Sequence, residues 1–242
     1  MSVICILNFS GNVGKSTLNN ELFRPRLPNY KFFAIESVNA SGSPEEEKQR
    51  ADDFHKLYEE ILLEHENAVL DVGASNAEMF IAKMSENVGS HNDFDLFIVP
   101  IPPNEKQVSD SVKTVEILRS LGVPASKITV IFNRIEDMLH VVSDVEIFKD
   151  VLYYHEKTKN FYLNEDLAIY KSDAFARARM NQTNIFELAS SKEDFKALAK
   201  NPEIDLEEKR RLIGLHSSRG ISINVHENLN QVFSILNKKF KF

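Results

Sequence analysis

The sequence predicts an α/β fold, a mostly parallel central sheet with helices on both faces, and three observations carry it. Short apolar runs alternate with longer amphipathic segments along the first 135 residues, the order that builds parallel strands joined by helical crossovers. The runs are continuous rather than alternating, as strands covered on both faces require. Polar and glycine residues cluster directly after each run, where sheets of this kind bind ligands.

The first run, Val3-Ile-Cys-Ile-Leu7, is followed by a glycine-bearing turn and a short helix from about Lys15 that must stop before Pro25. Tyr30 to Ile35 reads as the second strand. A long helix is expected next, with Ser43 as N-cap, Pro44 at its first position and Glu46 closing a capping box. Phe54, Leu57, Tyr58, Ile61 and Leu62 then recur at helical spacing. Ala68-Val-Leu-Asp-Val72 and Leu96-Phe-Ile-Val-Pro-Ile101 are the third and fourth strands. Between about Asn104 and Leu121 a helix places Val108, Val112, Val115 and Leu118 on one face. Lys127 to Phe132 is a fifth strand.

Later segments are less regular. Lys159–Leu163 and Leu167–Tyr170 are candidates for further sheet material. Ser190 to Arg211 reads as two short helical pieces broken at Asn201-Pro202. The last segment carries Val225, Leu229, Val232, Phe233 and Leu236 at helical spacing and ends in a basic, aromatic tail, Lys238-Lys-Phe-Lys-Phe242. We expect one domain over 1–242, with a core to residue 190 and a C-terminal helical extension over 191–242.

At 242 residues, 43% hydrophobic and 27% charged, the composition is that of a chain with ample core material. No run approaches the ~20 apolar residues of a membrane-spanning helix. The N-terminal run lacks a basic lead and a cleavage site, so it reads as a buried strand, not a secretory signal. A single cysteine, Cys5, permits no internal disulfide, which fits the cytoplasm. The net charge of −7 speaks against a general nucleic-acid binder. The balance is uneven, −10 over residues 1–190 and +3 over 191–242, so any polyanion contact belongs to the C-terminal part.

Ser10-Gly-Asn-Val-Gly-Lys-Ser16 sits between a strand and a helix, where small residues let backbone N–H groups turn onto a phosphate. A lysine for the β/γ-phosphates and a hydroxyl for Mg²⁺ complete such a loop. Phe9 replaces the first glycine of the usual pattern. Asn8-Phe-Ser-Gly-Asn-Val-Gly-Lys-Ser-Thr17 resembles instead the deviant Walker motif N-x-K-G-G-x-G-K-[ST]-T of the ParA/MinD family. Val69-Leu-Asp-Val-Gly73 is similar to that family's Walker B strand, and Asp95 to Pro102 to its fourth strand and following loop. Thr129-Val-Ile-Phe-Asn-Arg134 is similar to the strand whose terminal Asn contacts adenine. Ile169 to Ala178 resembles a late segment, I-x-x-x-x-A-F-x-x-A. The short helix after the loop and Glu36-Ser-Val-Asn39 look closest to the plasmid-stability branch of StbB and TraL type.

The resemblance implies ATP or ADP as ligand, with Mg²⁺. Lys15 would grip the β/γ-phosphates, Gly11, Asn12, Val13 and Gly14 would form the cradle, and Thr17 would meet the α-phosphate. Ser16 would hold the metal directly and Asp71 through water. Asn133 would read adenine, and Glu36, the carboxylate after the second strand, would orient the attacking water. The family's signature lysine, which crosses to a partner subunit, falls at Ser10, so slow or partner-dependent ATP hydrolysis is expected. The implied function is a nucleotide-dependent switch in plasmid stability or DNA segregation, working as a homodimer with a partner or DNA-binding adaptor. A nucleotide-binding adaptor without turnover and a biosynthetic ATP-dependent ligase are the alternatives. Direct DNA contact through Lys209-Arg-Arg211 is a weak footprint, and the C-terminal tail is expected to dock on its own domain rather than on a membrane.

Overall fold

The computed structural model describes residues 2–35, 47–49, 54–63, 67–136 and 141–242. Among them, seven strands, β1 (Val3–Ile6), β2 (Lys31–Ile35), β3 (Glu47–Gln49), β4 (Ala68–Val72), β5 (Leu96–Ile101), β6 (Ile128–Ile135) and β7 (Ala168–Tyr170), form one sheet in the order β3-β2-β4-β1-β5-β6-β7. Every pairing within it is parallel. The predicted architecture is therefore the observed one.

The pleat of β1 shows why its run is apolar throughout. Val3, Cys5 and Leu7 enter one core cluster, together with Phe80, Val108 and Phe148. Ile4 and Ile6 enter the cluster on the opposite face, with Leu18, Ala174 and Leu229. Successive side chains of a strand point to opposite faces, so a strand between two helical layers must be apolar at every position. On the first face lie α2 (Phe54–Leu63), α3 (Ala74–Glu86), α4 (Glu105–Ser120) and α5 (Val141–Thr158); on the second lie α1 (Lys15–Thr17), α6 (Ala174–Met180), α7 (Ile185–Ser190) and the long α9 (Leu206–Phe240). A one-turn helix, α8 (Phe195–Leu198), precedes α9.

Two expectations are corrected. Residues 47–49 lie in the span expected to be helical from Ser43, yet they form the edge strand β3 against Phe33–Ile35. The helix begins only at Phe54; Ser43, Pro44 and Glu46 lie outside the described residues. Three polar residues on a sheet edge carry no apolar periodicity to reveal them. The break expected at Asn201-Pro202 does separate α8 from the next helix, but that helix runs unbroken over 35 residues, Leu206–Phe240, rather than ending near Arg211. Asp205 caps it by accepting from the Glu208 N–H at 2.8 Å.

Strand β7 ends the sheet on the other side. Its outward-facing backbone groups meet a side-chain amide of α9: Asn228 Nδ2 donates to Ala168 O at 2.9 Å, and Asn228 Oδ1 accepts from Tyr170 N at 3.3 Å. The aromatic tail docks on the same layer, with Phe23 edge-on to both Phe233 and Phe242 at 6.4 and 6.2 Å between ring centres. Among the described residues no helix is long and apolar enough to cross a membrane.

Candidate functional site: the phosphate loop and its cleft

The loop from Phe9 to Gly14 connects β1 to α1 at the carboxyl end of the sheet. Asn12 and Gly14 both have positive φ, 57° and 99°. Such alternation turns successive N–H groups toward one concavity, a nest for an anion. Gly14 is required twice over. Its φ lies in the left-handed region, and a Cβ there would sit 2.0 Å from Asn133 Nδ2. Asn133, 2% exposed at the end of β6, donates that Nδ2 hydrogen to Val13 O at 2.7 Å.

Lys15 is 7% exposed and folds back along the loop, donating to Asn8 O at 3.1 Å and Ser10 O at 2.9 Å. An ammonium has three hydrogens, so one is left for a further acceptor. Burial pulls its pKa down to about 8, against the opposing pull of the Asp71 carboxylate. Asp71, 4% exposed, stands next to last in β4, which pairs directly with β1. Ser16 is exposed and Thr17 half-buried on the first turn of α1. Gly11 and Asn12 are exposed and Val13 is fully buried. The structure thus gathers Gly11 to Thr17, Asp71 and Asn133 at one rim. Glu36 lies outside the described residues.

The loop is braced by residues that the motif alone does not reveal. Asn8, fully buried, donates to Pro100 O at 2.9 Å and Ser111 Oγ at 2.7 Å while accepting from Ser10 N at 2.8 Å. Gln107 Nε2 donates to Gly11 O at 2.8 Å, and Ser10 Oγ donates to Asp110 Oδ2 at 2.6 Å. Gln107, Asp110, Ser111 and Thr114 form one polar ridge of α4, at i, i+3, i+4 and i+7. That spacing is legible in the sequence beside the apolar ridge Val108, Val112, Val115 and Leu118. It also means that Ser10 is not an open loop position. Ser10 is 8% exposed and faces a carboxylate of its own chain.

A helical stretch with π geometry, Leu18–Phe23, continues α1. Glu21 within it is buried, and its carboxylate accepts from Ile185 N at 2.9 Å. Desolvation pushes its pKa up, while the Ile185 N–H and Arg179 pull the other way. A cleft of about 250 Å³ opens beside the loop, with Thr17 and Asn133 among its lining residues and Tyr170 and Phe175 as aromatic walls. Among the described residues no three His, Cys, Asp or Glu side chains group as a metal centre. Ser16 and Asp71 are the candidates at this rim to hold a cation beside a bound phosphate chain.

The sequence matches no protein-family model and no curated protein. Solved structures do match in three dimensions. Apo McdA of Cyanothece superposes with a TM-score of 0.53 at 14% identity, covering 90% of this chain and 99% of that one. The ATP complex of a single-residue variant of Cyanothece McdA gives 0.50 at 13% identity, covering 91% and 96%. The cell division protein MinD of Aquifex aeolicus gives 0.51 at 12% identity, covering 91% and 97%. At such identities the likeness speaks for architecture, and it spans nearly the whole of each chain. The chain has the fold of the ParA/MinD-type P-loop ATPases.

Proposed function

We propose that the chain binds ATP or ADP with Mg²⁺ at residues 10–17 and acts as a nucleotide-dependent switch of ParA type. The observation that carries this reading is the locked loop itself. Gly14 in a left-handed conformation, Asn133 bonded to Val13 O, and Lys15 buried against two loop carbonyls hold the loop in the shape of an anion cradle. Preorganised donors of this kind are what phosphate recognition requires.

The residues fit the ligand in order. Backbone N–H groups of residues 11–14 would face the β-phosphate, and Lys15 would direct its remaining hydrogen to the β/γ oxygens. Thr17 would meet the α-phosphate. Asn133, with one N–H committed to Val13, would offer its oxygen to the amine of adenine. Ser16 and Asp71 would hold Mg²⁺, which neutralises charge on the phosphates when bound. Glu36 is retained as the candidate for orienting water. The biological setting most in keeping with the motif resemblance is plasmid stability or DNA segregation, with a homodimer as the nucleotide-bound state and a partner or DNA-binding adaptor reading it.

One observation favours a second reading, a nucleotide-binding adaptor without turnover. Where the family motif carries a lysine for the partner's nucleotide, Ser10 spends its hydroxyl on Asp110 of its own α4. Position 10 then brings no cation to a partner's nucleotide and sets a carboxylate nearby, and both oppose the charge of phosphoryl transfer. Calorimetric titration with ATP and ADP, with and without Mg²⁺, followed by a phosphate-release assay, tests both readings. Binding with slow release supports the switch, binding with none supports the adaptor, and no binding overturns both.

A further inference from the structure

The cleft beside the phosphate loop is lined by three cationic side chains. Every side chain lining it is neutral or cationic, and Arg134, Lys171 and Arg179 supply the charge. Lys171 is paired with Glu136 at 2.6 Å, but both are well exposed and such pairs contribute little. Arg134 is exposed, and Arg179, also exposed, acts electrostatically on the Glu21 carboxylate across the smaller of two adjoining cavities.

Arg134 is placed there by an irregularity of the sheet. The β6–β7 register shifts between Asn133 and Ile135, and Arg134 takes φ 59° at the break. A left-handed non-glycine residue costs about 1 kcal/mol or more, and bulges that re-aim a side chain gather near functional sites. Arg179 stands where the cleft meets a second, smaller cavity of about 90 Å³, with which it shares Thr17 and Phe175. Ser16, Asn20 and Glu21 also line the smaller space. A space of that size admits one compact polar group.

A nucleotide running from the loop to Asn133 would carry its sugar past Thr17, which lines both cavities. We propose that this site takes a nucleotide whose sugar carries a second phosphoryl group, on the 2′ or 3′ oxygen, held by Arg179 with Arg134 at the cleft wall. The Ser16 and Thr17 hydroxyls add neutral donors. Glu21, the one carboxylate lining the smaller cavity, already accepts from the Ile185 N–H, and Arg179 and Arg26 offset its charge. The inference rests on the nucleotide reading above and narrows it to a ligand class.

The test is calorimetric titration of the full chain with three ligands: ADP, and ADP bearing a further phosphate on the 2′ or the 3′ oxygen. One of the two substituted nucleotides should bind at least tenfold tighter than ADP, about 1.4 kcal/mol. Arg179→Gln should remove most of that preference, lowering affinity for the substituted ligand far more than for ADP. Arg179 is an exposed helix residue, and circular dichroism of the variant checks that the fold is intact. ADP binding equal to or tighter than both analogues overturns this inference alone. Failure of all three ligands to bind overturns it together with the phosphate-loop reading.

Discussion

Asn133 donates its Nδ2 hydrogen to the carbonyl oxygen of Val13 at 2.7 Å, tying the end of one strand to the middle of the phosphate loop 120 residues earlier in the chain. The contact leaves no room for a side chain at Gly14. It makes the loop's shape a property of the sheet and not of the loop sequence alone.

Gly14→Ala should therefore lose nucleotide binding and also destabilise the fold. A left-handed alanine costs about 1–2 kcal/mol before the clash with Asn133 is counted. Urea unfolding should show a loss above about 2 kcal/mol, and combining the change with Asn133→Ala should be less than additive, because the second removes the clashing amide. Additive losses would show that the two residues do not meet.

Lys15 makes binding pH-dependent. Its pKa near 8 lies below the usual 10.5, so between these values the unfolded chain holds more protons than the folded one. Stability should then rise with pH across that window, the sign expected for a buried cation. Nucleotide affinity should move the other way and fall as pH passes about 8, because the neutral amine no longer attracts phosphate. Titrations spanning that pKa on both sides check this, and in Lys15→Ala the affinity should be at least tenfold weaker at neutral pH, about 1.4 kcal/mol, and nearly flat with pH.

Asp71→Ala should alter the Mg²⁺ dependence of binding more than binding in the absence of Mg²⁺. The carboxylate stands beside β1 and acts electrostatically on Lys15. Water-bridged carboxylates chiefly set the position of a metal. Identical responses to Mg²⁺ in the parent and the variant would remove Asp71 from the metal site.

Ser10→Lys alone should leave turnover low. The new ammonium would find Asp110 in its own chain, the present partner of the Ser10 hydroxyl at 2.6 Å. Ser10→Lys combined with Asp110→Asn frees the cation, and steady-state phosphate release should rise several-fold over the single variant. Equal rates in the two would mean that Asp110 does not hold the lysine.

Cys5 offers a readout for these variants. It is fully buried in β1, and desolvation with the neighbouring Asp71 charge drives its thiol pKa upward. It should resist alkylation in the folded chain and react on unfolding. Modification of the native parent at the rate of a free thiol would show that β1 opens readily.

The sheet and the loop were legible because their signals are local. Val3–Leu7 is apolar at every position because both faces are covered, and Gly14-Lys15-Ser16 stands in sequence as it stands in space. The braces were not legible in the same way. Asn8 reads as a motif letter, yet its buried amide joins three segments through Pro100, Ser111 and Ser10. Asp110 looks like one more surface charge on α4 until the fold brings Ser10 against it. Glu47–Gln49 has neither alternation nor apolar content, and its pairing with β2 comes from the sheet edge being open to it. Arg179 lies on a short helix after the last strand, and only the crossing of the chain sets it beside Thr17.

The amide of Asn228 also governs how the molecule behaves in company. A parallel sheet that stops at β7 presents a donor and an acceptor to whatever strand comes near, and bare edges of this sort recruit other chains. Here the outward N–H of Tyr170 and the outward carbonyl of Ala168 are both taken by one side chain, which imitates a single residue of an eighth strand. The long C-terminal helix thus acts as a chaperone in cis, and a chain shortened before residue 228 would emerge with its last strand adhesive.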